Sequence, residues 1–139
     1  MAYALETTLV SSRTDTAAVT RSNGTAITGM DLYRRGTFML NVSAASGTWT
    51  LNVAIQAYIG ARWSDIARFA EMSATGQRWI WDVGGSVNNA ATVEEAEQYL
   101  AITVSTKRAG PWGTQLRATW TITGTGQSIT WELLGTVSS

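Results

Sequence analysis

The stretch Leu116-Arg-Ala-Thr-Trp-Thr-Ile-Thr123, followed by Gly124-Thr125-Gly126 and then Ser128-Ile-Thr-Trp-Glu-Leu133, decides the fold class. In its first part Leu116, Ala118, Trp120 and Ile122 alternate with Arg117, Thr119, Thr121 and Thr123. In its second part Ile129, Trp131 and Leu133 alternate with Ser128, Thr130 and Glu132. Apolar residues at period two, with β-branched and aromatic side chains, make strands with one dry and one wet face. The glycines between them read as a turn, so the segment predicts a hairpin. The pattern recurs upstream. Phe38, Leu40 and Val42 alternate with Thr37, Met39 and Asn41, and Trp49, Leu51, Val53, Ile55 and Ala57 alternate with Thr50, Asn52, Ala54 and Gln56. With Ser43-Ala-Ala-Ser-Gly47 as the connection, these predict a second hairpin.

Arg78-Trp-Ile-Trp-Asp-Val83 alternates with Trp79, Trp81 and Val83 together, and Tyr99–Ser105 with Leu100, Ile102 and Val104 together. Residues 58–76 stay open between a helical turn capped by Ser64 and a short loop leading into a strand through Phe69. Gly84–Asn89 and Lys107–Gly113 read as loops. Thr92-Val-Glu-Glu95 has capping-box spacing and predicts one or two helical turns over 93–99. Ser22-Asn-Gly-Thr25 is a turn signal. Ahead of it, Ala4-Leu5 and Leu9-Val10 are read as a short strand in an otherwise extended segment. About six to eight short strands separated by turns imply an all-β antiparallel sandwich or jelly roll. The expected organisation is an extended N-terminal arm over 1–28 and a β-sandwich domain over 29–139, with one short helical turn.

Composition narrows the chemistry. A chain of 139 residues builds one domain that buries roughly two thirds of its unfolded surface. Ten basic and ten acidic residues cancel, and charged residues make up 14% of the chain, against ~25% in an ordinary domain. Such a surface does not draw in polyanions, so no nucleic-acid partner is expected. There is no Cys and no His, which removes the disulfide framework, the thiolate nucleophile, the usual general base and the commonest metal ligand. Glu94, Glu95 and Glu97 are read as a solvated first turn matched to the helix dipole rather than as a carboxylate pair for glycoside chemistry. The sequence therefore predicts no enzyme, no cofactor and no metal. No apolar run approaches the ~20 residues of a membrane helix, and the N-terminus lacks the basic start and apolar stretch of a secretion signal. The expectation is a protein made in a cytoplasm that leaves by lysis or by assembly into something larger.

Nine of the ten basic residues are Arg. Arg holds fixed bidentate contacts with less entropy loss per bond than Lys, which fits placed subunit contacts as well as it fits the base composition of a source genome. Arg34, Arg35, Arg62 and Arg108 are the candidate interface residues. Among seven tryptophans, Trp49, Trp79, Trp81, Trp120 and Trp131 share strand faces with aliphatic residues and are read as core. Trp63 is open. Trp112, in Gly110-Pro-Trp-Gly113, shares no strand face and is the candidate exposed contact.

The run from Trp63-Ser-Asp-Ile-Ala-Arg-Phe69, through Ala74-Thr-Gly76, to Leu116–Gly124 and Ser128-Ile-Thr-Trp131 resembles small β-sandwich structural proteins of tailed bacteriophages. The likeness covers roughly residues 48–135. The Gly84–Ala91 loop with its acidic turn and the Lys107–Gly113 loop depart from it as insertions, and the N-terminal segment has no counterpart. The resemblance implies a virion component: a capsid decoration (cement) protein that stabilises the phage head by binding the major capsid protein, often as a homo-trimer. A head-completion or tail component is the second form of the same reading. A carbohydrate-binding or receptor-binding β-module is the rival of a different class, and a His-free carboxylate hydrolase is a third.

Overall fold

The computed structural model describes residues 4–84, 106–107 and 112–139. Among these residues the strands are β1 (Ala4–Asp15), β2 (Val19–Asn23), β3 (Arg35–Ile59), β4 (Arg62–Arg68), β5 (Gly76–Val83), β6 (Thr106–Lys107) and β7 (Leu116–Ser138), with a 3-10 turn at Met30–Leu32. The protein is all-β and every described strand pairing is antiparallel. The helical turn expected over 93–99, the strand over Tyr99–Ser105 and Arg108 lie outside the described residues.

The two expected hairpins do not form. Each is instead one long strand, and the two strands pair with each other from Arg35↔Ser138 to Ala57↔Leu116. Where turns were expected, both strands bend. The pairing slips between Val42 and Ala44 and again between Ser46 and Thr48, the latter opposite Thr125–Ser128. Such bulges sharpen the twist and bend a ribbon without ending it. They also invert the pleat. Inward residues are Phe38, Leu40 and Val42 before the corner and Trp49, Leu51, Val53, Ile55 and Ala57 after it, all buried. On β7 the inward set changes from Leu116, Ala118, Trp120 and Ile122 to Ile129, Trp131, Leu133 and Val137.

The bend folds the β3/β7 ribbon onto itself and makes a two-layer sandwich. One layer runs β1, the C-terminal half of β7, the N-terminal half of β3, then β5. The other runs β2, the N-terminal half of β7, the C-terminal half of β3, β4, then β6. Trp120 of one layer meets Trp131 of the other edge to face, with ring centroids 5.0 Å apart, a favoured aromatic geometry. The Trp131 indole N–H donates to Asp15 at 2.8 Å, and Arg13 donates to the same carboxylate while its guanidinium covers the Trp120 ring. β1 and β2 are thus strands of this same sandwich, with Leu9 and Val10 inside its core.

Glycine is required at the corner. Gly124 has φ +141°, and a Cβ there would lie 2.2 Å from the Thr48 carbonyl oxygen. Gly124→Val is therefore expected to cost about 3 kcal/mol or more, from the strained φ and the collision together. A denaturant midpoint equal to that of the parent chain would show that the corner relaxes freely and would sink this account.

Two expectations about tryptophan are corrected. Trp112 is not an exposed contact. It is 2% exposed, its indole N–H donates to the Tyr33 carbonyl, and its ring meets Phe38 at 6.2 Å. It plugs the end of the sandwich away from the corner, where no strand alternation announces it. Trp79 and Trp81 are not core. They are 48% and 64% exposed, because β5 pairs Phe38 with Ile80. A residue directly across from a core side chain points the same way, so Ile80 goes in and both indoles go out. Val83 still reaches the core, because the pairing slips between Gly36 and Phe38 and Asp82 takes φ 54°.

Candidate functional site

The outward face of the first layer carries the site. Four strands contribute one residue each to two cross-sheet rows. Thr8 stands opposite Leu134, Leu134 opposite Met39, and Met39 opposite Trp79. In the next row Glu6 faces Thr136 and Thr136 faces Thr37, with Trp81 closing the row two residues along β5 from Trp79. Strand residues two apart share a face, so the period-two pattern of β1, β3, β5 and β7 lays these side chains on one surface. Together with Thr7 and Gly135 they line an open hollow of about 730 Å³.

The indoles of Trp79 and Trp81 wall this hollow. They stack on each other with centroids 5.2 Å apart and planes 11° apart. A smaller hollow of about 220 Å³ lies on their other side, with Arg78 and Lys107 in its lining. The strand bearing the rings is anchored. The Lys107 ammonium donates to the carbonyls of Trp81 and Asp82, at 2.7 and 3.0 Å. The Asp82 N–H donates to the Thr37 hydroxyl at 3.3 Å, and Arg35 pairs with the Asp82 carboxylate at 3.7 Å. These contacts hold the kink at Asp82, directly after the two rings. Glu6 is the one charged side chain among the described residues lining the larger hollow.

A second convergence of polar groups lies on the outer face of the other layer. Gln56 and Asp65 are both fully buried, and the Gln56 amide donates to the Asp65 carboxylate at 2.9 Å. Arg117 donates to the Gln56 carbonyl oxygen at 2.9 Å, and its guanidinium lies 4.2 Å from the centre of the Trp63 ring. Trp63 in turn meets Tyr58 edge to face. Gln56 bridges Arg117 and Asp65 by hydrogen bonds, so this network ties β3, β4 and β7 laterally. Among the described residues, no group of three Asp or Glu side chains converges as a metal site would require.

The interface candidates are placed as follows. Arg34 and Arg35 are exposed at the start of β3, where they flank a hollow with Gly84 and Ser139. Arg62 is exposed at the start of β4, opposite Ile59 at the other end of β3. Since β3 folds back on itself, these three arginines occupy the same end of the sandwich, near Trp112. Arg108 lies outside the described residues. The Trp79–Trp81 groove was missed in the sequence. The signal that marks it is the Ile80 between the indoles, which can face the core only if both rings do not.

An all-β sandwich built on one bent two-strand ribbon, with an aromatic groove on its outer face, is the class that fold and site define. Over 99% of its length the chain superposes on a chain from the structure of infectious bursal disease virus, Gx strain, with a TM-score of 0.57 and 9% identity. The match spans 32% of that chain, so this chain covers about a third of the viral protein it matches. At that identity the likeness is one of fold. No family model and no curated protein matches the sequence.

Proposed function

We propose that this chain is a structural protein of a virion and, more narrowly, a non-enzymatic decoration protein on the head of a tailed phage. The observation that carries the broader reading is the likeness to a chain of a virus structure along 99% of this chain. The narrower reading rests on the strand-and-turn resemblance over residues 48–135. The physical character of the chain agrees with both. A surface with few charges and many Thr and Ser residues suits repeated neutral contacts, and Arg34, Arg35 and Arg62 offer charged anchors at one end of the sandwich. Its partners in this reading are the major capsid protein and two further copies of itself. A closed three-fold oligomer matches the local three-fold positions of an icosahedral lattice, and several modest contacts on one oligomer add by avidity.

Particles labelled with an antibody against this chain and imaged in negative stain test the reading. Label is expected over the head, and particles lacking the protein are expected to release their contents at a lower temperature. Label confined to the neck or tail would remove the decoration role, and unlabelled particles would remove the virion role altogether.

A further inference from the structure

We propose that the groove walled by Trp79 and Trp81 binds a short, neutral glycan, with one pyranose ring against the open face of one indole and its hydroxyls meeting Glu6, Thr8 and Thr136. Among the described residues, Trp79 and Trp81 are the exposed aromatic side chains, and two adjoining indoles held in water form a patch of the kind that marks a binding surface. The rings stack on each other, so one face of each is already used. The outer faces of the stack point in opposite directions, so the larger hollow is offered the face of one indole, room for one sugar ring rather than a platform for a long chain. It is presented rigidly, because Lys107 clamps the carbonyls of Trp81 and Asp82.

The opposite side of the hollow selects the ligand. Among the described residues the side chains of Glu6, Thr8 and Thr136 make no hydrogen bond, and all three line the hollow. The apolar face of a second protein laid into this groove would strip these groups of water and leave them unpaired, which is costly. A pyranose brings C–H groups on its faces for the indole and hydroxyls at its edge for the carboxylate and threonines. The hollow, about 730 Å³, lies within the 300–1,000 Å³ of small-ligand sites. With Glu6 the one charge in the described lining, acidic sugars meet repulsion without a compensating cation. This inference stands apart from the virion reading: glycan binding is measured on the purified chain, and its failure leaves the particle-labelling result untouched.

The test is saturation-transfer NMR on the full chain with maltotriose, cellotriose, chitotriose and N-acetyllactosamine, and with sialyllactose as the acidic arm, each at about 10 mM. At least one neutral sugar is expected to bind with a Kd of about 1 mM. Trp81→Ala should weaken it about tenfold while Trp81→Phe retains part of the affinity. Thr136→Val should weaken it several-fold with an unchanged circular dichroism spectrum. The proposal is overturned if no neutral sugar binds, if Trp81→Ala binds like the parent chain, or if sialyllactose binds as well as the neutral sugars. It is also overturned if sedimentation shows a self-association that Trp81→Ala abolishes, which would give this face to a second copy.

Discussion

A chain lacking residues 1–15 is expected to lose cooperative folding. β1 covers the C-terminal half of β7 along its length, from Ala4↔Ser138 to Asp15↔Ile129. It supplies Leu9 and Val10 to the core, each worth about 1.5–3 kcal/mol when fully buried. Its removal also strips the Trp131 indole of its Asp15 acceptor, leaving a buried donor unsatisfied at about 1–3 kcal/mol. A long apolar strand edge would face water as well, a template for aggregation. Together these losses reach the whole ~5–15 kcal/mol stability of an ordinary domain. The measurement is near-ultraviolet circular dichroism with thermal melting of the truncated chain. A sharp transition within about 5 °C of the full-length protein would show that β1 is dispensable.

Trp131→Ala is expected to cost about 3–5 kcal/mol. The ring is fully buried, packs edge to face on Trp120 across the two layers, and is fixed by its bond to Asp15. Truncation leaves a cavity between layers that the paired backbones of β1, β3 and β7 cannot close. Trp81→Ala, the same change in side-chain volume, should stay within about 0.5 kcal/mol because that ring is mostly in water. Urea denaturation of both variants reads the contrast directly. Equal midpoints for the two would contradict the assignment of one indole to the core and the other to the surface.

The same contrast shows how far residue patterns reach. Alternation is set by the pleat of a single strand, so the inward sets Phe38, Leu40 and Val42, Trp49 through Ala57, Leu116 through Ile122, and Ile129 through Leu133 are all legible locally. Those sets make the chain all-β and name most of the core. Pairing partners are not local. A glycine-bearing break in phase is the mark of a hairpin turn and equally of a bulge in a continuous strand. Ser43–Gly47 and Gly124–Gly126 carry that mark. Only their meeting, with Gly47 against Gly126 and Gly124 against Thr48, makes them one corner instead of two turns.

The groove follows the same logic. On β5 two tryptophans outweigh one isoleucine in any local count of apolar residues, and the local reading buries them. Pairing with β3 places Ile80 across from the fully buried Phe38, and a shift of one residue would turn every side chain of the strand to the other face. Trp112 is the converse case: it carries no alternation, yet it fills the end of the sandwich because Phe38 and the Tyr33 carbonyl await it there. The sequence by itself determined that the chain is a β-protein and which faces of its two longest strands are dry. The tertiary structure alone decided which strands are neighbours, which way β5 faces, and so which tryptophans meet the solvent. The reason is that side-chain alternation is a property of one strand, whereas register is a property of two.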